Sequence, residues 1–240
     1  MDVTTGEIAG FEALLRLRNF TIPPDLFINI AEETGLITDI GRWVTKEVAD
    51  QLVTWREKGL PLKTVSLNYS SRQLRDTGYI SFLYDLLKTN QLDPGYIEIE
   101  ITETSLLEES VQTLEFLNHL KELGIKIALD DFGVGYFSID YLSYIPVNKV
   151  KLDKSLSDKF LGLDKSAVIE NIIGLAHGLK LEITAEGIEE YRQYVRLKEA
   201  GCDYIQGYLF SRPMEAEELE KIYSSNMVEL VESVQRPEHQ

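Results

Sequence analysis

Short β-rich runs alternate with longer amphipathic segments along the whole chain, and this alternation limits the fold more than any other feature. The candidate strands cover residues 8–16, 64–69, 96–101, 125–130, 149–152, 181–185 and 204–209. Helical patterns fill the gaps at 24–33, 38–58, 80–88, 105–123, 165–179, 190–200 and 216–223. Thr38 and Ser105 read as helix N-caps, and Gly59, Gly124 and Gly201 read as C-terminal stops. Such repetition implies a parallel sheet with helices outside it. At 240 residues an eight-stranded α/β barrel is a natural size, and an open doubly wound sheet is the competitor. The first strand is not followed by a Gly-rich phosphate fingerprint, which favours the barrel. Seven strands leave one short. Residues 2–6 look like a hairpin turn, so the first barrel strand is expected to be missing or truncated, with its remainder upstream of Met1. No linker, low-complexity stretch or repeat divides the chain, so 1–240 reads as one domain with 235–240 as a frayed tail.

The strand faces carry the functional argument. In Ile97-Glu98-Ile99-Glu100-Ile101 the isoleucines share one face and the glutamates the other, because side chains alternate along a strand. Lys151 opposes Val150 and Leu152, Asn68 opposes Leu67, and Glu12 opposes Phe11 and Ala13. Parallel strands covered on both sides usually read as continuous apolar runs, and these do not. If the apolar faces pack outward on helices, the inward faces bring Glu12, Asn68, Glu100, Asp130, Lys151, Glu186 and Gln206 toward one cavity. Each lies near the C-terminal end of its strand, where barrel enzymes place their chemistry. The run Ile127-Ala128-Leu129-Asp130-Asp131-Phe132-Gly133 adds two adjacent carboxylates at a strand end. Alone it is an ordinary turn; buried, the pair needs protons, cations or a metal to neutralise it.

Oxygen donors without convergent imidazoles or thiols suit Mg²⁺ or Mn²⁺. His119, His177 and His239 fall on two expected helices and the tail, as surface residues. Two divalent ions about 3.5–4 Å apart, bridged by an aspartate, would stabilise both oxygens of an in-line displacement at phosphorus. Lys151 would orient a nucleophilic water or offset developing charge. Spacing alone thus suggests metal-assisted phosphoester hydrolysis, with a one-Mg²⁺ barrel aldolase or isomerase as the rival. The net charge of −16 argues against binding to DNA or RNA polymers. A single cysteine, Cys202, excludes an internal disulfide and fits a reducing compartment. No apolar run is long enough to cross a bilayer and no signal-peptide pattern opens the chain, so a soluble protein is expected.

The segment Glu12-Ala13-Leu14-Leu15-Arg16 resembles the signature of the EAL-domain cyclic di-GMP phosphodiesterases. Other blocks similar to that family follow in order: FINIAEETGLI, VSLNYSSRQL, IEIEITET, IALDDFGVGYFS, VKLDKSL, TAEGIE and IQGYLFSRP. Together they cover nearly the whole chain. The resemblance implies a TIM-like (β/α)8 barrel with an antiparallel first strand. It also implies hydrolysis of one phosphodiester of cyclic di-GMP to give linear pGpG, with a catalytically weak cyclic di-GMP receptor as the alternative. By resemblance, Glu12, Asn68, Glu100 and Asp130 hold one metal, and Asp130, Asp131 and Glu186 serve the second. Lys151 positions the attacking water and Gln206 supports it. Arg16 contacts phosphate, with Leu14, Asp153 and Glu189 beside the substrate, while Glu103 anchors the loop after Asp131. The expected cofactors are two Mg²⁺ or Mn²⁺ ions, with Ca²⁺ inhibitory. A bacterial, cytoplasmic homodimer is expected, either free or within a larger protein carrying an upstream sensor or GGDEF-type domain.

Five departures from the family pattern bear on this expectation. Val134 and Phe137 stand where the family usually has Thr and Ser, removing two hydroxyls from the loop after Asp131. Asn148 stands where an Asp is typical, and Leu17 replaces a common Trp in a shortened segment. The family's first strand, with its Tyr-Gln-Pro, has no counterpart.

Overall fold

The computed structural model describes residues 1–17, 20–107, 111–134, 142–161 and 166–235. The fold is α/β and of the TIM-like class, with the first strand truncated. Its strands are β1 (Gly10–Ala13), β2 (Thr64–Asn68), β3 (Ile97–Thr102), β4 (Lys126–Phe132), β5 (Lys149–Leu152), β6 (Glu182–Ala185) and β7 (Tyr204–Ile205), in sheet order as in sequence. The helices are α1 (Pro24–Thr34), α2 (Ile37–Glu57), α3 (Tyr79–Asn90), α4 (Glu103–Leu107), α5 (Val111–Leu123), α6 (Lys154–Phe160), α7 (Ser166–Gly178), α8 (Tyr191–Glu199), α9 (Ala216–Leu219) and α10 (Met227–Gln235). The chain divides into an early unit, 11–128 with 145–147, and a late unit, 1–10, 129–144 and 148–240.

In the early unit, β2 and β3 pair in parallel with Leu67 opposite Ile99 and Asn68 opposite Glu100. The α2 stripe of Thr45, Val48, Ala49, Leu52 and Trp55 recurs at helical spacing and is buried. Each large apolar side chain taken from water contributes about 1.5–3 kcal/mol. Tyr69 stacks on Phe116 with ring centroids 5.3 Å apart, and the buried Tyr79 hydroxyl shares a 2.8 Å hydrogen bond with Thr45. That bond satisfies a polar group the core would otherwise penalise. Both faces of β3 are buried, its glutamates as well as its isoleucines.

In the late unit, β5, β6 and β7 are parallel, with Lys151 opposite Thr184 and Ala185 opposite Ile205. The outer edge of β7 is covered by the N-terminus. Asp2 bridges Tyr204 in antiparallel sense, the Val3 amide donates to Asp203 O (2.9 Å), and the Ile205 amide donates to Met1 O (2.9 Å). The hairpin expected at 2–6 is present: Gly6 N–H donates to Asp2 O, and Asp2 Oδ1 accepts from the Thr4 and Thr5 amides. Residues 1–3 thus form a short antiparallel segment pairing with β7.

Four local expectations need correction. β7 stops at Ile205 and does not run to 209. Gly207 is packed so closely on the Ile188 backbone that a Cβ there would sit 2.1 Å from its carbonyl oxygen, so the strand breaks into a turn. Strand β1 covers only 10–13 of the expected 8–16. Thr38 lies inside α2, because α1 ends at the left-handed Gly35 and the next helix starts at once with Leu36 as its cap. Ser105 lies inside the short α4, where its amide donates to Thr102 Oγ1 (3.3 Å), and α5 is a separate helix beginning at Val111. Helices α6 and α10 were not anticipated. Of the expected tail, 236–240 lie outside the described residues, as do 135–138 of the loop after Asp131 and hence Phe137. No helix among the described residues is long and apolar enough to cross a membrane.

Candidate active site

The early unit supplies one set of oxygen donors. Asn68 ends β2 beside Glu100 of β3, a register fixed by the parallel ladder and the Tyr69 amide donating to Glu100 O (2.8 Å). Asn68 Nδ2 donates to Glu12 Oε1 at 2.8 Å. The structure therefore joins Glu12 to Asn68 and sets Glu100, which is buried, next to them in register. Glu103, also buried, opens α4 directly after β3. Arg16 is exposed and its Nη1 donates to the neighbouring Leu15 O (2.8 Å), while Leu14 is exposed beyond the end of β1.

The late unit supplies a second set. Lys151 near the end of β5 is 3% exposed, a level at which an ammonium must be paired. Its Nζ lies 2.6 Å from Glu186 Oε1 and 3.5 Å from Asp130 Oδ1. Asp131 follows in the left-handed region, φ 56°, with its amide donating to Asp130 Oδ1 (3.0 Å) and its carbonyl accepting from Val134 N–H (3.3 Å). Aspartate tolerates that conformation better than most residues, yet it still costs roughly 1–3 kcal/mol. Gly133 then takes φ 93° with the Leu156 side chain where a Cβ would stand. Gln206 follows β7, its amide donating to Ala185 O (2.9 Å) and its carbonyl accepting from Ile188 N–H (3.1 Å).

Asp153 and Glu189 do local structural work. Asp153 Oδ1 caps α6 by accepting from the Ser155 amide (2.9 Å) and the Ser155 hydroxyl. Glu189 pairs with Lys154 at 2.5 Å, and the lysine hydrogen bond holds its carboxyl below the usual range. Sequence reading overlooked Lys154, although a lysine directly after VKLD at a strand end was a usable signal. His119 and His177 are exposed as expected, and His239 lies outside the described residues. Cys202 is buried, and burial pushes its thiol up to about 12, so it stays protonated and inert.

The donor chemistry suits a hard cation. Two carboxylates and an amide whose nitrogen is spent on Glu12, leaving the carbonyl oxygen as donor, make an all-oxygen set of the kind Mg²⁺ and Mn²⁺ take. No group of three or more His, Cys, Asp or Glu side chains that could hold a metal ion occurs among the described residues. A cation at the early set would draw on the Asn68 amide beside the carboxylates, and in the late set Lys151 already engages Asp130 and Glu186.

The EAL-domain family profile matches residues 1–213, and the chain belongs to that family. The signaling protein YkoW of Bacillus subtilis is 41% identical over 92% of this chain and 28% of its own length. The cyclic di-GMP phosphodiesterase PdeR of Escherichia coli is 36% identical over 91% of this chain and 33% of its own length. The chain thus spans about a quarter to a third of these curated relatives. Among solved structures, the PaMucR phosphodiesterase in its c-di-GMP complex superposes with a TM-score of 0.83 at 34% identity, covering 90% of this chain and 89% of that one.

Proposed function

We propose that the chain is a cyclic di-GMP phosphodiesterase that hydrolyses its substrate to linear pGpG. The observation that best supports this is Lys151, an ammonium buried at a strand end between Asp130 and Glu186. A structural lysine would more often extend toward water; this one is held where it can hold a water or face developing negative charge. The naming of PdeR and PaMucR as phosphodiesterases supports the same reading.

In this reading Glu12, Asn68, Glu100 and Asp130 would hold one Mg²⁺ or Mn²⁺, and Asp130, Asp131 and Glu186 the other. Such a pair supplies Lewis-acid stabilisation of the attacking and leaving oxygens when bound. Lys151 orients the attacking water, Gln206 supports it, and Arg16 offers a guanidinium fork to a phosphate. Leu14, Asp153 and Glu189 line the substrate, and Glu103 steadies the loop after Asp131. The two units act as one EAL domain, as a cytoplasmic homodimer and within a longer protein carrying a sensor or GGDEF-type domain; the greater length of the relatives supports the last point.

The test is incubation with cyclic di-GMP and Mg²⁺ or Mn²⁺, followed by separation of the nucleotides. Linear pGpG establishes the enzyme; tight binding without product establishes a receptor instead.

A further inference from the structure

Within the late unit one side chain joins the N-terminal turn to the last helix, beside the backbone bonds that also hold that turn. Asn226 sits immediately before α10 and uses both ends of its amide. Oδ1 accepts from the Val228 and Glu229 amides, each at 3.1 Å, which caps the helix. Nδ2 donates to Thr5 O at 3.0 Å, inside the 2–7 turn. Glu7 bridges Asn226 through the backbone, and Met227 N–H donates to Gly6 O at 2.8 Å. Gly6 has φ 74°, and a Cβ on it would lie 2.6 Å from Asn226 Oδ1, so the turn and the asparagine are fitted to each other. From this turn the chain runs back to residues 1–3, which pair with β7 up to Ile205. Gln206 is the next residue.

We propose that Asn226 is a positioning residue: it holds the turn on α10, the turn holds residues 1–3 on β7, and β7 sets the placement of Gln206. The turnover part of this proposal rests on the phosphodiesterase reading, whereas the backbone part does not. An Asn226→Asp side chain can still cap α10, where the helix N-terminus favours its charge, but it cannot donate to Thr5 O. Asn226→Ala loses both roles. Gly6→Ala attacks the same contact from the other side and adds strain at positive φ.

The experiment is amide hydrogen exchange on the 240-residue chain and its variants, with steady-state turnover of cyclic di-GMP beside it. Asn226→Asp is expected to speed exchange at Val3 and Ile205 about threefold to tenfold, the factor carried by one neutral hydrogen bond. Protection within α10 stays unchanged. Gly6→Ala is expected to do the same or more. In the active protein kcat falls several-fold in both variants with KM little changed, and combining Asn226→Asp with Gln206→Ala lowers kcat no further than Gln206→Ala alone. Unchanged exchange at Val3 and Ile205 in both variants overturns the latch. Faster exchange with full turnover overturns the link to Gln206. If the wild-type chain yields no pGpG, the phosphodiesterase reading fails by that result alone, the exchange arm still decides the latch, and faster exchange at the Gln206 amide becomes the required sign of its positioning.

Discussion

The two sets of candidate catalytic residues are built on opposite principles. In the early unit a neutral amide serves a carboxylate, Asn68 to Glu12, with Glu100 beside it in register. In the late unit a buried ammonium serves two carboxylates, Lys151 to Glu186 and Asp130. A neutral partner leaves the charge of its carboxylate in place, so a divalent cation gains from entering. An ammonium offsets that charge internally, so an incoming cation competes with it. If the chain is the phosphodiesterase proposed above, this contrast would put cation affinity chiefly in the early set and handling of water and developing charge chiefly in the late one.

The largest expected effects test that division directly. Glu12→Ala should abolish turnover and remove most of the stabilisation by Mg²⁺ or Mn²⁺, leaving what the late set supplies. Lys151→Ala should lower kcat by two or more orders of magnitude, the scale of losing a transition-state interaction, while the metal-induced shift in melting temperature persists. Measuring both quantities on both variants breaks the comparison if Lys151→Ala keeps full turnover or if Glu12→Ala keeps the full response to metal.

Removing metal is the next test. A ligand that binds only the folded state stabilises it by about 2.7 kcal/mol at a hundred times its Kd. Thermal melts of the wild-type chain should therefore rise from chelator to millimolar Mg²⁺ or Mn²⁺. Ca²⁺ should raise the melting temperature as well yet support little hydrolysis, because its coordination is looser. Identical melts with metal and with chelator would remove the cation from the early set.

Much of this was readable from the chain, and the failures have local causes. β2 to β6 and the long helices were legible because their periodicities are strong, and because Gly59, Gly124 and Gly201 mark the helix ends with left-handed backbone. The end of β7 was not, since Gly207 is packed on Ile188, a contact absent from any local pattern. The caps of α2 and α4 were misplaced because Leu36 carries no capping side chain and Thr102 lies at the end of a strand. For the site, alternation singled out Glu12, Asn68, Glu100, Asp130, Lys151 and Glu186. It could not reveal which partner each carboxylate takes, since that depends on register between strands far apart in sequence. Asn226 carries no catalytic signal, since an isolated asparagine before a helix reads only as a cap.

A smaller effect concerns Asp153. Its carboxylate caps α6 through Ser155, so Asp153→Ala should cost about 1 kcal/mol of stability, read from chemical denaturation. Asp153→Asn retains a capping oxygen and should recover most of that. If Asp153→Asn restores stability and KM for cyclic di-GMP still rises several-fold, the residue also faces substrate. If both recover together, capping is its whole contribution.

The smallest expected effect is at Val134, again in the late unit. Its amide donates to Asp131 O, and Asp131 is held at positive φ, so the turn carries strain that any added bond would help to fix. A threonine has nearly the shape of valine and adds one hydroxyl, worth about 0.5–1.5 kcal/mol when it finds a protein partner. Val134 is 62% exposed, so water competes for that hydroxyl and the lower end applies, roughly a twofold change. Because Asp131 belongs to the late set, the gain should show where cation occupancy there is limiting and fade at saturation. Val134→Thr is therefore expected to raise turnover about twofold at limiting Mn²⁺ and to match the wild type at high Mn²⁺. A gain of equal size at every concentration would place the effect on Lys151 and its water and not on cation binding, and no gain anywhere would leave the loop hydroxyl without a role.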